Sequence, residues 1–346
     1  MTSLIKPHKL SEGDTIATIS LSGGAAGEVD LLQWHNLSKK RLQEDFKLNV
    51  VETLHSLKGR KYIYENPKSR AEDLMEALLN PEIRGIFLNQ GGDDAIRILP
   101  YVDFKVIKNN PKIFLGFSDA TTIHYMFYKA GISSFYGANS LTTLSEPVKL
   151  HSYTEKWIKK VLFDTSPIGN IEPAEYWTNE PIDWKNGINE ERKMIKNNGY
   201  ELLQGKGKIT GKLLGGCIGP LVYMVKGSCL FPEKEAWEGS IIFFDGMAAY
   251  SNPSSLTHML RSLASTGIFK KANGIIFSNP VDYKFYEECK QCLFKVIRDE
   301  EGLLDMPILY NLNFGHSTPI TTIPFGAMAE IDCDNKTFSI LESGVV

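Results

Sequence analysis

Residues 112–131 read KIFLGFSDATTIHYMFYKAG, and this stretch carries the pattern that decides the fold. The apolar run KIFLGF at 112–117 predicts a buried strand, and residues 120–130 predict a helix that Gly131 closes. A strand followed at once by a helix is the repeating unit of a parallel sheet with crossover helices. We therefore expect this stretch to belong to an α/β domain.

The same alternation precedes this stretch along the chain. Strand patterns fall at residues 14–21, 49–54 and 85–89, and helical patterns at 26–45, 69–79 and 93–99. Ser69 suits the N-cap of the second of these helices. Residues 1–165 are therefore predicted to form a doubly wound α/β domain with a parallel sheet.

The rest of the chain divides into a segment and a second unit. Residues 166–208 lose periodicity among prolines and glycines, which is typical of a linker and a substrate loop. Residues 209–346 predict a smaller C-terminal α/β domain with a mixed sheet. Its predicted elements are strands at 240–244, 274–278 and 307–312, helices at 254–265 and 283–298, and a closing hairpin that turns at Asp334-Asn335.

Composition narrows the class of partner. The chain has 346 residues, enough for two cores, and its formal net charge of -3 comes without blocks of like charge. Neither nucleic acid nor an anionic membrane is indicated, so we expect a small-molecule partner. No apolar run approaches the ~20 residues that span a bilayer, and the N-terminal residues lack the pattern of a signal peptide, which predicts a cytoplasmic protein.

The cysteines give no sign of a disulfide framework or a metal site. There are five of them, an odd number, scattered through the second half of the chain, so reduced thiols are expected. Cys289 and Cys292 form a C-x-x-C pair in a predicted helix, but no second Cys/His pair stands nearby to complete a zinc site. The sequence predicts no metal and no cofactor.

Two strand-to-helix junctions carry reactive side chains, NQGGDD at 89–94 and GFSDA at 116–120. The carboxyl ends of parallel strands open on one crevice, which makes Ser118 a candidate nucleophile. The N–H groups of Asp119, at the helix start, and of Gly92 are candidate donors to an oxyanion. Spacing alone favours a plainer interpretation, in which Ser118 caps the helix and Gly91-Gly92 turns the chain.

A nucleophilic serine needs a general base, and His316 is the best placed of seven histidines. It lies in NFGHSTP at 313–319, just past a predicted strand and beside Gly315. His124 falls inside the helix after Ser118, where its side chain should point away from the serine. A loop histidine on its own is more often structural than catalytic.

Taken together, these motifs resemble the LD-carboxypeptidase family of serine peptidases. The resemblance rests on residues 112–122 with FYG at 135–137, and on GDTI at 13–16, RAEDL at 70–74, the pairs Gly91-Gly92 and Gly215-Gly216, and residues 313–326. It covers nearly the whole chain in order. It implies that Ser118 is the nucleophile, that His316 is its base, that Gly91 lies at the substrate, and that the protein is a homodimer.

The same resemblance marks two departures. The family places a glutamate, the acid of its triad, where IIFFDG at 241–246 has Asp245. Aspartate is one methylene shorter, so a backbone built for glutamate would leave it out of hydrogen-bond reach of His316. Either the backbone has adjusted, a water bridges the two side chains, or activity is reduced. Asp245 also suits a turn before Gly246. Cys217 stands where the family usually has a substrate-lining asparagine, although free cysteine usually behaves as a small buried hydrophobe.

Two features favour the microcin self-immunity branch of the family. Residues 317–322, STPITT, lack the basic residue that the murein-recycling carboxypeptidases tend to place after the histidine. Trp177 and Trp184 resemble the tryptophans of that branch, where stacking on a nucleotide base is worth ~1–3 kcal/mol. Pinning of the long loop explains both tryptophans equally well, and Trp184 is the preferred candidate.

The implied activity is hydrolysis of an amide in a microcin C-like aminoacyl nucleotide. Release of a terminal D-amino acid from a murein tetrapeptide is the alternative activity. A non-catalytic binding protein with a degraded triad is the alternative class, and Asp245 is the residue that raises it.

Overall fold

Apolar runs form the central strands of two β-sheets in the structure. It is a computed structural model, and it describes residues 3–247, 252–280 and 283–346. The first sheet has six strands. In spatial order they are β14 (Ile323–Pro324), β5 (Phe135–Tyr136), β4 (Ile113–Gly116), β3 (Ile83–Leu88), β1 (Thr15–Ile19) and β2 (Asn49–Glu52). Strands β1 to β5 are parallel, and β14 pairs antiparallel with β5. The order 2-1-3-4-5 is that of a doubly wound fold, as predicted.

The second sheet has eight strands. In order they are β6 (Gly169–Asn170), β16 (Thr337–Ile340), β15 (Met328–Asp332), β10 (Lys208–Cys217), β11 (Ser240–Asp245), β12 (Gly274–Ser278), β13 (Ile308–Leu312) and β9 (Glu201–Gln204). Strands β10 to β13 are parallel and the other four are antiparallel, so the mixed sheet is confirmed. The hairpin β15–β16 closes at Asp334-Asn335, also as predicted.

Nine α-helices are described, and none of the described helices is long and apolar enough to cross a membrane. They are α1 (Leu32–Glu44), α2 (Gly59–Glu65), α3 (Pro67–Leu79), α4 (Phe104–Asn109), α5 (Ala120–Ala130), α6 (Ser152–Leu162), α7 (Ile218–Pro220), α8 (Pro253–Ala264) and α9 (Tyr286–Leu293). The α7 helix runs into a π-helix, Leu221–Val225, and α9 into another, Phe294–Glu300.

Two helical predictions need correction. The α3 helix has Asn66 at the N-cap position and Pro67 in its first turn, so Ser69 is not its cap. Proline presets the backbone angle of a first turn and lacks the N–H that a cap would satisfy, which explains the earlier start. Residues 93–99 were predicted to be helical, but Ala95–Tyr101 is a 3-10 helix that contains Pro100.

The segment 166–208 is less irregular than its composition predicts. Its strands β6 and β9 pair with opposite edges of the second sheet, and β7 (Tyr176–Trp177) pairs with β8 (Ile195–Lys196) in a separate ribbon. Short edge strands need only one partner, so they form between prolines and glycines without a periodic pattern. The domain boundaries at 165 and 208 stay a prediction. Strand β14 belongs to the predicted C-terminal domain by its position in the chain, yet it pairs with the first sheet.

The buried helix α5 links the two sheets. Nine of its eleven side chains are buried, and one apolar cluster runs through both units. The backbone N–H of Cys217, at the end of β10, donates to Thr121 Oγ1 at 2.9 Å. Gly215 and Gly216 make this contact possible, because a Cβ on Gly216 would lie 2.6 Å from Thr121 Cγ2. The glycine pair therefore brings β10 against the helix that follows Ser118.

We predict that Gly215→Ala destabilises the fold far more than Gly131→Ala. A Cβ at Gly215 would lie 1.9 Å from the carbonyl oxygen of Phe243 on β11, whereas one at Gly131 meets nothing within 4 Å. Both glycines have positive φ. The free energy of unfolding should therefore fall by about 1–2 kcal/mol for Gly131→Ala and by about 3–5 kcal/mol for Gly215→Ala. Denaturant unfolding measures both, and equal losses would contradict the steric argument.

Candidate active site

Ser118 occupies a sharp turn between β4 and α5. Its φ of 69° lies in the left-handed region, which a residue with a side chain rarely adopts. Such a conformation costs of order 1–3 kcal/mol and is found most often at functional sites. Ser118 is 7% exposed and lines a cleft of about 420 Å³. The strained turn predicted from the sequence is therefore present.

His316 lies on the loop after β13 and approaches Ser118 directly. Its Nε2 atom is 3.1 Å from Ser118 Oγ. The imidazole packs edge-on against Phe117, with ring centroids 4.9 Å apart, which restricts its rotation. The first unit therefore supplies the serine, and the C-terminal part of the chain supplies the histidine.

Asp245 ends β11 and lies behind the imidazole. Its carboxylate is fully buried, with Oδ2 and Oδ1 at 2.9 and 3.0 Å from His316 Nδ1. A carboxylate can only accept, so Nδ1 carries the proton of the neutral ring and Nε2 is left to accept from the serine hydroxyl. Three side chains far apart in the sequence thus form one hydrogen-bonded line.

Of the alternatives for Asp245, an adjusted backbone is the one that the structure favours, because the shorter side chain reaches His316 directly. Gly315 explains why. Its φ is 81°, and a Cβ there would lie 2.1 Å from Asp245 Cγ. The histidine loop therefore runs directly against the carboxylate, closer than any other residue type would allow. The backbone N–H of His316 also faces Asp245 Oδ1, at 3.3 Å.

The glycine turn lies beside the nucleophile. A Cβ on Gly91 would be 2.7 Å from Ser118 Cβ, and one on Gly92 would be 2.2 Å from Ser22 Oγ. Among the described residues, the N–H groups of Gly92 and Asp119 donate to no protein atom. Both N–H groups are therefore available to an oxyanion, and their role as oxyanion donors stays a prediction.

The side chain of Asp119 has a structural role in the site that the sequence did not reveal. It accepts from Ser22 Oγ at 2.6 Å and from the N–H of Ala95 at 2.8 Å. Burial raises the pKa of this carboxyl, and the hydrogen bonds from Ser22 and Ala95 oppose that rise. Asp119 thus ties the nucleophile turn to the ends of β1 and β3. Ser22 follows β1, so the rule that ligands bind at strand ends would have pointed to it.

The structure separates the two tryptophans. Trp184 is half-buried and lines the cleft, and its ring lies edge-on to Trp34 with centroids 5.0 Å apart. Trp34 also donates to the Trp184 carbonyl at 2.8 Å, so Trp184 both faces the cleft and pins the segment. Trp177 is 2% exposed and does not line the cleft, so the structure does not bring it to the candidate site. A buried strand position explains its residue type.

Cys217 is not a cleft residue either. It is fully buried at the end of β10, in register with Asp245 on β11. Burial, and then the charge of Asp245, raises the pKa of its thiol well above the ordinary value. The plainer interpretation, a small buried hydrophobe, describes it better than substrate contact does.

One set of possible metal ligands occurs among the described residues. Ligand atoms of Cys217, Asp245 and His316 lie within 4.8 Å of one another. Both oxygens of Asp245 already accept hydrogen bonds from His316. The set fits a hydrogen-bonded triad with a packed thiol beside it.

An ion pair that the sequence did not reveal holds the cleft wall. Arg192, from the segment 166–208, lines the cleft and donates through Nε to the buried Glu146 at 2.9 Å. Its Nη2 also donates to Glu146, and its Nη1 donates to the Glu180 carbonyl at 2.8 Å. A two-armed contact with a buried carboxylate fixes the wall that carries Trp184. Arg192 lies in an aperiodic charged stretch, which gave no signal of this pairing.

A larger groove, about 650 Å³, lies between α8 and α9. Its walls include His258 and Cys292 but none of Ser118, His316 and Asp245. Size alone therefore does not locate the site. The smaller cleft is the candidate because the nucleophile and base open into it.

His124 lies outside the hydrogen-bonded line, as its helical position predicts. Its Nε2 donates to the Gly116 carbonyl at 2.9 Å, and its Nδ1 faces Ser134 Oγ at 2.8 Å. Burial lowers the pKa of His124 to about 3, although the bond to Gly116 opposes this. The ring therefore stays neutral and supports the strand that leads to Ser118.

We predict that His124 makes stability fall as the pH drops. The unfolded chain binds a proton near its ordinary pKa of 6.5, whereas the folded chain binds it only near about 3. The contribution is therefore full above the unfolded pKa and declines below it, by up to about 1.4 kcal/mol per pH unit. Unfolding at about pH 6, 5 and 4 should show a shallower slope for His124→Gln than for wild type. The exposed His258→Gln is the matched control and should keep the wild-type slope.

A serine hydroxyl that a histidine can deprotonate, with a buried carboxylate fixing that histidine, is the chemistry of a serine hydrolase. Fold and site together define that class, on a pair of α/β units. Comparison with known proteins makes the assignment specific. The N-terminal domain of LD-carboxypeptidases matches residues 16–137, and their C-terminal domain matches residues 210–331. This chain belongs to the LD-carboxypeptidase family of serine peptidases.

Relatives from two functional groups resemble the chain. The microcin C7 self-immunity protein MccF of Escherichia coli is 30% identical over 280 residues, which are 80% of this chain and 78% of MccF. A probable murein peptide carboxypeptidase of Bacillus subtilis is 26% identical over 344 residues, 98% of this chain and 95% of the other.

Solved structures are similar over almost the whole chain. A MccF-like protein from Streptococcus pneumoniae in complex with AMP has a TM-score of 0.87 and 34% identity, over 95% of this chain and 98% of its own. MccF in complex with glutamyl sulfamoyl guanosine has a TM-score of 0.89 and 27% identity, over 99% of each chain.

Proposed function

We propose that this protein hydrolyses the amide that joins an amino-acid carbonyl to a nucleotide phosphoramidate, as in processed microcin C and related aminoacyl-sulfamoyl adenylates. The observation that carries the proposal is the line from Ser118 Oγ to His316 Nε2, 3.1 Å, and from His316 Nδ1 to Asp245, 2.9 Å. The first distance is within hydrogen-bond reach of a nucleophile and its general base, and the second is within hydrogen-bond reach of that base and the carboxylate that orients it.

The chemistry is acyl transfer in two halves. Ser118 Oγ attacks the amide carbonyl while His316 Nε2 takes its proton, and Asp245 stabilises the imidazolium that forms. The N–H groups of Gly92 and Asp119 hold the oxyanion of the tetrahedral intermediate. His316 then protonates the leaving nitrogen, and a water that it deprotonates releases the acyl group from Ser118. The scheme uses no metal and no cofactor.

The cleft wall supports a nucleotide in the leaving group. Trp184 presents a half-buried ring to the cleft, and stacking of a base on it would contribute about 1–3 kcal/mol. Residues 317–322, beside His316, offer no basic side chain for a free carboxylate. Relatives solved with AMP or an aminoacyl sulfamoyl nucleoside show such ligands in this fold.

Two alternatives remain distinct from this proposal. Release of a terminal D-amino acid from a murein tetrapeptide uses the same triad, and the relative named a murein peptide carboxypeptidase favours it. A non-catalytic binding protein was suggested by the short Asp245 side chain. The direct contact between Asp245 and His316 removes that reason.

Two further parts of the proposal concern where the protein acts and how it assembles, and of these the family resemblance implies the homodimer. We propose that the protein acts in the cytoplasm and that it forms a homodimer. Sedimentation at micromolar concentration tests the dimer, and fractionation of the source cell tests the location.

We predict that Ser118→Ala and His316→Ala each lower kcat on the order of 10⁴-fold or more, because each removes half of the nucleophile pair. Asp245→Asn should lower it on the order of 10²- to 10⁴-fold, because the amide can no longer fix the productive tautomer. The assay is product release from aminoacyl-sulfamoyl adenosine and, separately, from a murein tetrapeptide.

The matched control for this series is His258→Ala, an exposed histidine on α8 that should keep wild-type rates. An unchanged rate in Ser118→Ala would refute the mechanism. Wild-type protein that binds a substrate and releases no product from either would establish the binding role instead.

We predict that Trp184→Ala raises KM for aminoacyl-sulfamoyl adenosine by roughly 5- to 150-fold, the value of one base stack, while kcat changes little. Trp184→Phe should keep most of the affinity because it keeps a ring. The buried Trp177→Phe is the control and should bind like wild type. Equal effects of Trp184→Ala on the nucleotide and on a murein tetrapeptide would show that Trp184 only supports the loop.

A further inference from the structure

Tyr136, in strand β5 between β14 and β4, lies where the two halves of the candidate site meet. Its hydroxyl is 2.5 Å from Asp245 Oδ2 and 3.1 Å from the backbone nitrogen of Ser118. The side chain is fully buried. One oxygen atom thus contacts both the acid that orients His316 and the backbone of the nucleophile.

The direction of both hydrogen bonds follows from chemistry. An ionised carboxylate can only accept, so the Tyr136 hydroxyl donates its single proton to Asp245. A backbone N–H can only donate, so the lone pair of the same oxygen accepts from Ser118. The hydroxyl is a donor in one bond and an acceptor in the other, so the two hydrogen bonds strengthen each other.

The ring of Tyr136 is held on both sides. It lies edge-on to Phe243, on the strand that carries Asp245, with centroids 5.5 Å apart. It also packs against His124 of α5, with centroids 5.6 Å apart. A ring fixed between these groups places its hydroxyl with little freedom, which makes it a rigid spacer.

We propose that Tyr136 is a positioning residue of the catalytic site, which holds the Asp245 carboxylate on His316 and the Ser118 backbone in its strained turn. This inference rests on the proposed function. It assigns a role that the sequence motif did not reveal. Tyr136 does not contact the reacting atoms and acts through its two neighbours.

Two consequences follow for catalysis. The Ser118 N–H is used by Tyr136, so the oxyanion is left to the N–H groups of Gly92 and Asp119. The bond to Asp245 also disperses part of the carboxylate charge that faces His316, and this weakens the attraction between that charge and the imidazolium. Burial, and then the charge of Asp245, holds the pKa of Tyr136 well above its ordinary value, so its hydroxyl keeps its proton.

Tyr136→Phe tests the proposal, because it removes the hydroxyl and keeps the ring. We expect kcat to fall about 10- to 100-fold, the value of a hydrogen bond to a charged group, with KM nearly unchanged. Without the donor, Asp245 attracts the imidazolium more strongly. The acid limb of the kcat/KM profile should therefore move to higher pH, by about half a pH unit or more.

The titratable groups around the Asp245–His316 pair stay the same in this variant. They are the Cys217 thiol from β10, Asp119 beyond it, and Glu180 and Arg192 on the cleft wall. A move of the acid limb therefore reports the lost hydroxyl. Tyr200→Phe is the matched control, because its buried hydroxyl donates to the Ile171 carbonyl at 3.0 Å, away from the cleft. It should leave both kcat and the profile unchanged.

Replacement of Tyr136 by 3-fluorotyrosine keeps the shape and both hydrogen bonds, so folding is not at issue. A fluorinated phenol is a stronger donor, and the acid limb should then move to lower pH, opposite to Tyr136→Phe. NMR titration of His316 without substrate measures the same pair of shifts. This separates the proposal from the proposed function, whose own failure would appear as an unchanged rate in Ser118→Ala.

The proposal is overturned if Tyr136→Phe keeps kcat within about twofold of wild type and the His316 titration is unmoved in both substitutions. A loss of kcat with an unmoved titration would overturn it too, because Tyr136 would then be a packing residue.

Discussion

The hydrogen bond between Ser118 Oγ and His316 Nε2, 3.1 Å long, joins two β-sheets, and the rest of the structure serves to keep that distance. Catalytic geometry tolerates errors of about 0.5 Å, so the two sheets must be fixed in register. Strand β14 lies seven residues after His316 and pairs with β5 of the first sheet, so the histidine loop is fastened to the nucleophile's own sheet. Strand pairing therefore helps to hold the histidine loop in place beside the nucleophile.

Two residues, Gly315 and Tyr136, determine how the Asp245 carboxylate is held at this junction. Gly315 brings the histidine loop against Asp245, because no side chain intervenes. Tyr136 fills the other side and donates to the same carboxylate. A buried carboxylate without donors would carry a large desolvation penalty, whereas this one accepts from the imidazole and the phenol. The close approach of the histidine loop thus makes up for the methylene that aspartate lacks, and Tyr136 satisfies the second oxygen of the carboxylate.

Sequence patterns foretold what depends on local order. The apolar runs at 85–89 and 112–117 are strands buried on both faces. Their ends singled out Ser118 as a candidate, and the strand before His316 did the same for the histidine. Local pattern alone still favoured a helix cap and a structural histidine, and only the resemblance over the whole chain implied a nucleophile and its base. Contacts between residues far apart in the chain produce no recognisable pattern in the sequence. The pairing of Arg192 with Glu146, 46 residues apart, and of Tyr136 with Asp245, 109 apart, arises only when the sheets meet.

The errors have the same origin. Trp177 and Trp184 stand in one aperiodic segment and are equivalent by composition, yet a short ribbon buries the first and the ring of Trp34 holds the second at the cleft. Cys217 was placed in the cleft by resemblance, although β10 turns its thiol into the interior beside Asp245.

The two sheets carry the triad, whereas the segment 166–208 forms much of the cleft wall. This separation is consistent with one family acting on more than one substrate. Ser118, His316 and Asp245 stand on strand ends or beside them, where sheet pairing fixes them, and the attack on an amide carbonyl needs nothing else from the substrate. The wall opposite is built from the segment 166–208, which is attached by edge strands, by the Arg192–Glu146 pair and by Trp34. Most of the part of it that lines the cleft, residues 179–184, lies outside the strands of both sheets, so its side chains can change with little effect on the triad. We propose that this wall selects the leaving group, whereas the triad determines which bond is broken.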